Sequence, residues 1–130
     1  MLTLAYFTKF PSSYKDREKF VNNVILENVK AEVINENKIL ITSTTKSGYR
    51  QEIELEDNKI SLRSPCKVFC TCASFKFDFA HAVFRAGSLL KPISFIRSVI
   101  QRPKQRNQYD IPSGCKHIIA LARAALKIKI

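Results

Sequence analysis

The chain has 130 residues, 45% of them hydrophobic, and its 22 Lys and Arg against 11 Asp and Glu give a formal net charge of +11. This size and composition predict one globular domain and exclude a disordered chain. No apolar run is long enough to cross a membrane, and three glycines leave no room for a glycine-rich phosphate loop.

The N-terminal stretch is apolar and aromatic up to Pro11 and forms either a short strand or a docking arm. It has no basic region and no small-residue cleavage site, so we expect a chain that is not secreted and is cytoplasmic. The helical spacing of Phe20, Val21, Val24 and Ile25 predicts a helix from about Tyr14 to Leu26.

An antiparallel β-meander is predicted next, because short β-rich runs alternate with polar turns. The runs are Val29–Ile34, Ile39–Thr44, Tyr49–Leu55 and Ile60–Leu62. The meander leads into Val68 and Phe69, which places Cys70 at the end of a strand. The fold class predicted for the chain is therefore α+β.

Two further helices are predicted in the second half of the chain. Helical spacing follows Phe77 and continues to Ala86, with Gly87 as a cap. The last helix begins after Ser113, its predicted N-cap, and carries an apolar face from Ile118 onward. We expect His81 to be a surface or core histidine.

Four residues near these predicted element ends have the spacing of metal ligands. Cys70 and Cys72 read Cys-Thr-Cys and, after a gap of 42 residues, Cys115 and His117 read Cys-Lys-His. Three thiolates and one imidazole form a closed tetrahedral set that suits one structural Zn²⁺. Buried unligated thiols and disulfides are the alternatives, and Cys66 is expected to be a structural thiol.

The pattern C-x-C…C-x-H resembles the SWIM-type zinc finger over roughly residues 67–126. Phe75 stands where that family often has an aromatic residue. The predicted apolar helix that follows His117 also fits the family's pattern. The chain is also weakly similar to SWIM-like proteins of tailed bacteriophages. We therefore expect residues 1–130 to form one zinc-stapled domain, in which residues 1–63 contain the helix and the meander. The resemblance implies that residues 64–130 form a basic, SWIM-like zinc module with a long insert at 73–114.

Positive charge is concentrated in the second half: residues 64–130 carry 12 Lys and Arg against Asp78 and Asp110, whereas residues 1–63 carry 10 against 9 acids. A basic surface of this kind favours a polyanionic partner or an acidic protein surface. The proline-bounded stretch from Lys91 to Ser113 supplies the candidate contacts, although a solvated loop without a partner is an alternative. These residues are Lys91, Arg97, Arg102, Lys104 and Arg106.

The sequence does not favour catalysis, because a Cys/His nucleophile pair needs an orienting acid and the second half offers only two. We therefore expect a non-enzymatic zinc-binding module that binds nucleic acid, DNA rather than RNA, through its basic half. The alternative is an assembly subunit, such as a virion component, whose N-terminal arm and basic loop dock on a larger protein assembly. Neither function needs a membrane or a small-molecule substrate.

Overall fold

A four-stranded antiparallel sheet lies at the centre of the fold, which a computed structural model describes over residues 1–91, 107 and 109–128. The strands follow each other in chain order: β1 (Leu26–Asn35), β2 (Lys38–Thr45), β3 (Arg50–Leu55) and β4 (Cys66–Cys70). Ile41 lies opposite Ile53, and Ile53 lies opposite Val68. All three are fully buried, so the alternating apolar residues form the core face of the sheet. The predicted α+β class and meander are confirmed.

The predicted strand Ile60–Leu62 is wrong, because this segment forms a turn before β4. The buried Ser64 hydroxyl donates to the Lys59 carbonyl at 3.0 Å and accepts the Ser61 N–H at 3.2 Å. Serine side chains that bond nearby backbone groups in this way compete with strand pairing.

The N-terminal helix is present but shorter than predicted. A 3₁₀ turn at Ser12–Arg17 leads into α1 (Glu18–Val21), and Leu26 already belongs to β1. The Asn23 and Val24 N–H groups bond back to residues 20 and 21, which closes the helix with a turn. Phe20 and Ile25, two residues of the predicted helical stripe, are exposed.

Residues 1–11 form neither a strand nor a free arm. They contain a 3₁₀ turn, Leu4–Thr8, whose Leu4 and Phe7 side chains are fully buried in the core. The Leu4 N–H donates to the Ser64 carbonyl at 2.8 Å, which ties the turn to the segment before β4. These apolar side chains are therefore not free to dock on a partner.

The helix predicted over residues 77–86 is a π-helical turn (Phe75–Phe79) followed by α2 (Ala80–Arg85). Gly87 has a φ of 76°, and the Gly87 and Ser88 N–H groups bond to the carbonyls of Phe84 and Val83. This is a Schellman motif, so the predicted glycine cap is confirmed.

The last helix, α3 (Lys116–Ala125), packs its apolar face into the core. Its N-cap is Cys115 rather than the predicted Ser113, whose hydroxyl instead donates to the Gly114 carbonyl. Arg123 joins α3 to α1 through a 2.6 Å ion pair with Glu18. None of the helices in the described part of the chain combines the length and apolarity needed to cross a membrane.

Candidate metal centre

The fold brings together the four residues with ligand spacing. One donor atom from each of Cys70, Cys72, Cys115 and His117 lies within 4.8 Å of the other three, and all four residues are buried. They come from the end of β4, the turn after it and the start of α3. This arrangement could hold a metal ion.

Backbone geometry after β4 turns both sulfurs of the first pair toward the same point. Thr71, between the two cysteines, is held against β3 because its N–H donates to the Arg50 carbonyl at 3.1 Å and its hydroxyl accepts the Arg50 N–H at 2.9 Å. The Phe75 N–H then donates to Cys72 Sγ at 3.4 Å. The buried Phe75 ring also anchors the turn in the core. A sulfur that accepts a backbone N–H is better able to carry negative charge.

The second pair is positioned by the first turn of α3. Cys115 is the N-cap, and its carbonyl accepts the Ile119 N–H at 3.0 Å. His117, two residues later, places Nδ1 at 3.8 Å from Cys70 Sγ and at 3.8 Å from Cys115 Sγ. The turn depends on Gly114, since a Cβ there would lie 2.8 Å from Ile118 Cγ2. A helix start and a glycine thus orient these two ligands.

Outside the four residues, a buried polar side chain supports Cys70. Gln51 Nε2 donates to Cys70 Sγ at 3.6 Å, and Gln51 Oε1 accepts the Ser43 hydroxyl at 2.8 Å. The Tyr49 ring lies 5.3 Å from the His117 ring and covers it. Partners of this kind orient ligands and raise metal affinity.

The three thiols differ in their readiness to ionise. Hydrogen bonds from Cys115 and Cys70 lower the pKa of Cys72 far below its ordinary range. A hydrogen bond with Cys115 lowers the pKa of Cys70, but its bond to Cys72 and its burial outweigh this and raise the value to about 12. Burial, above all, raises the pKa of Cys115. Three thiolates this close together need a cation among them to offset their repulsion.

Cys66 is fully buried in β4 but does not belong to the cluster of metal-binding atoms. Burial raises the pKa of its thiol to about 12, which makes it a poor nucleophile, and its position outside the cluster excludes it from the ligand set. His81 is likewise buried outside the cluster, where its Nδ1 lies 2.7 Å from Asp110 Oδ2. It is a core histidine.

Of the five predicted partner-binding residues, Lys91 alone lies in the part of the chain that the structure describes. Lys91 is exposed, and its Nζ lies 2.6 Å from Glu52 Oε2 and 5.9 Å from the Phe69 ring, so an internal acid already pairs with it. The other four, Arg97, Arg102, Lys104 and Arg106, lie outside the described residues.

A surface feature that the sequence did not indicate lies beside the metal-binding cluster. A groove of about 450 Å³ is lined by aromatic side chains, including Phe20 and Tyr49, and by the cations Arg17 and Lys116. A smaller groove of about 210 Å³ shares Ser47, Lys116 and His117 with it and adds Lys46. No Asp or Glu is among the described residues that line either groove. The two grooves together form a basic, partly aromatic surface next to His117.

A buried polar network, also missed by sequence reasoning, fixes the segment before α3. The Asn107 amide donates to the Asp78 and Ile111 carbonyls, and its Oδ1 accepts the Tyr14 hydroxyl at 2.7 Å. Asp110 has a φ of 54° and pairs with His81 and Arg85. The network holds the approach to Cys115 in place.

No protein-family model, curated protein or solved structure matches the chain. The assignment of function therefore depends on the chemistry of the metal-binding cluster and of the grooves beside it.

Proposed function

We propose that Cys70, Cys72, Cys115 and His117 hold one structural Zn²⁺. The observation that carries this proposal is the mutual approach of all four donor atoms to within 4.8 Å. With ordinary zinc–ligand bond lengths, a tetrahedral site separates sulfur from nitrogen by roughly 3.6 Å and sulfur from sulfur by roughly 3.8 Å. The 3.8 Å distances from His117 Nδ1 to two sulfurs agree with that geometry. Four protein ligands leave no position for a substrate, so the ion acts in folding and not in catalysis.

Metal analysis of the purified chain tests the site. We expect one zinc per chain in the wild type and no bound zinc in Cys72→Ala or Cys115→Ala, because three ligands do not close the site. Cys66→Ala is the matched control and should retain its zinc, since this equally buried thiol lies outside the cluster. Zinc that is lost in Cys66→Ala and kept in Cys70→Ala would contradict the proposed ligand set.

The resemblance of the C-x-C…C-x-H pattern to SWIM-type zinc fingers supports this reading, and with it the proposal of a non-enzymatic module. The resemblance to SWIM-like phage proteins supports the further proposal that the chain is a virion component. It does not distinguish a nucleic-acid partner from a protein partner. We also propose a cytoplasmic setting, because thiolate ligands must stay reduced to bind metal.

We further propose that this module binds nucleic acid, and DNA in preference to RNA. The net charge of +11 supports it, and so does the absence of acids among the described residues that line the two grooves. Lys46 and Lys116 can pair with phosphates, and the exposed rings of Phe20 and Tyr49 can stack on unpaired bases. Arg17 contributes less positive charge, because it pairs with Asp78 at 3.6 Å. The stacking rings favour single-stranded over duplex DNA.

Binding of a labelled single-stranded oligonucleotide, followed by fluorescence anisotropy across a salt series, tests this function. We expect affinity to fall steeply with salt, and the double variant Lys46→Gln/Lys116→Gln to reduce the slope by roughly 0.7 for each phosphate that these lysines neutralise. Tyr49→Ala should weaken binding by roughly tenfold with an unchanged slope, because stacking is not ionic. Lys59→Gln removes an exposed lysine between β3 and β4 and serves as the charge control. An oligonucleotide that does not bind even at low salt would exclude the function.

An assembly subunit is the second candidate function. The burial of Leu4 and Phe7 removes the predicted N-terminal arm from the candidate docking surfaces. One specific observation still favours it: β1 is a long edge strand with exposed apolar side chains. A salt-resistant complex with a large protein partner, and no salt-sensitive binding of DNA, would favour this candidate.

A further inference from the structure

The two edge strands of the sheet, β4 and β1, differ in whether backbone groups from outside the sheet pair with them. Backbone groups from outside the sheet cover the β4 edge: the Cys66 N–H donates to the Leu2 carbonyl, and Val68 exchanges bonds of 2.7 and 3.0 Å with Ser88 and Leu90. Within the described residues, β1 pairs with β2 alone, so the other side of β1 is a bare edge. An uncovered edge is a template for another strand.

The side chains of β1 make this edge unusual. Val29, Val33 and Ile34 are 38%, 57% and 47% exposed, in a ten-residue strand that has no fully buried residue. Ala31 and Val33 lie opposite Ile41 and Ile39 of β2, so these two side chains continue the apolar face of the sheet. Edge strands that stay unpaired usually carry charges or prolines in place of such valines.

The sequence of β1 is complementary to itself in one antiparallel register. When Ala31 lies opposite Ala31 of a second copy, Val29 faces Val33 and Lys30 faces Glu32, each pair occurring twice. Centring the pairing one residue earlier or later sets Lys30 against Lys30 or Glu32 against Glu32, which is unfavourable. The positive φ of Asn28 and the irregular pairing between Glu27 and Lys30 end the regular edge on one side, and the register shift between Val33 and Asn35 ends it on the other.

We propose that β1 pairs with β1 of a second copy of this chain around a two-fold axis at Ala31. The product is a symmetric dimer with a continuous eight-stranded sheet, in which valine pairs cover one face and Lys30–Glu32 ion pairs lie on the other. The contact spans little more than one strand per copy. Such a small interface gives a weak dimer, on the order of micromolar or weaker.

Sedimentation velocity over a concentration series measures the association, and charge reversal tests the register. Lys30→Glu alone and Glu32→Lys alone each set like charges opposite each other twice, so each should weaken the dimer by roughly tenfold or more. An equimolar mixture of the two single variants should form heterodimers again, because every contact in the mixed pair joins Glu to Lys. The double variant Lys30→Glu/Glu32→Lys should dimerise like the wild type.

Lys59→Glu is the control for charge alone and should leave dimerisation unchanged. Equal thermal unfolding of all variants would show that these exposed substitutions do not disturb the fold. A wild-type chain that stays monomeric at every concentration would overturn the proposal. So would a dimer that is indifferent to both single variants, or single variants that fail to associate when mixed.

Discussion

At the residue scale, Gln51 is the side chain outside the ligand set that most directly supports the metal centre. Its amide lies between the Ser43 hydroxyl and Cys70 Sγ, and it is fully buried. A donor aimed at a thiolate sulfur stabilises the charged form and fixes the direction in which the sulfur points. Its effect should therefore be measurable as metal affinity.

We expect Gln51→Leu to weaken zinc binding by about 10- to 100-fold, because the sulfur loses its donor. Unfolding should also become easier by about 1–3 kcal/mol, since the buried Ser43 hydroxyl loses its partner. Competition with a chromophoric zinc chelator measures the affinity. Ile53→Val, a buried substitution on the same strand that removes no donor, is the control and should cost about 1 kcal/mol without changing the affinity. Equal affinities of the wild type and Gln51→Leu would show that the amide only fills space.

At the element scale, the parts of the fold that could be predicted are those with a local signature. The β-branched run Ile39–Thr44 and the alternation in Tyr49–Leu55 identified two strands to within a residue or two, and the ligand spacing at Cys70 and Cys115 identified the cluster. The N-terminal helix was predicted to be too long because the β-branched Val24 and Ile25 also fit a helical stripe.

The contacts that could not be predicted join residues far apart in the sequence. The Tyr14–Asn107 bond joins residues 93 positions apart, and Gln51 meets Cys70 only through the strand register. Neither contact leaves a local pattern.

The junction between Gly114 and α3 is the element on which the second ligand pair depends. Gly114→Ala would place a methyl group 2.8 Å from Ile118 Cγ2, within the turn that carries Cys115 and His117. We expect a loss of about 1–3 kcal/mol of stability, because Ile118 is fully buried and has little room to move. Zinc affinity should fall as well, since the helix start must shift.

The control for this prediction is Gly87→Ala, at a positive φ of 76° in the cap of α2. It should cost about 1 kcal/mol through backbone strain and leave zinc affinity unchanged, because Gly87 lies outside the metal-binding segments. Thermal unfolding and chelator competition on both variants separate the two effects. A Gly114→Ala variant with normal affinity would show that the helix start tolerates the displacement.

At the scale of the whole molecule, the metal-binding cluster joins the end of the sheet to the start of the last helix. Cys70 and Cys72 follow the sheet, and Cys115 and His117 begin α3, whose Ile118, Ile119 and Leu121 are fully buried. Zinc in such sites contributes about 10–16 kcal/mol, whereas a whole domain is stable by only about 5–15 kcal/mol. The ion is therefore expected to decide whether the two parts pack together.

Chelation of the metal should consequently abolish cooperative thermal unfolding, and added zinc should restore it. Amide hydrogen exchange should show loss of protection first in α3, because its N-terminal turn contains two of the four ligands. The chelator should have no effect on Cys115→Ala, which separates metal removal from other actions of the reagent. If the chelated wild type instead kept its cooperative transition and the protection of α3, the hydrophobic core alone would hold the helix against the sheet. The zinc would then contribute local order around the two ligand turns and not the stability of the fold.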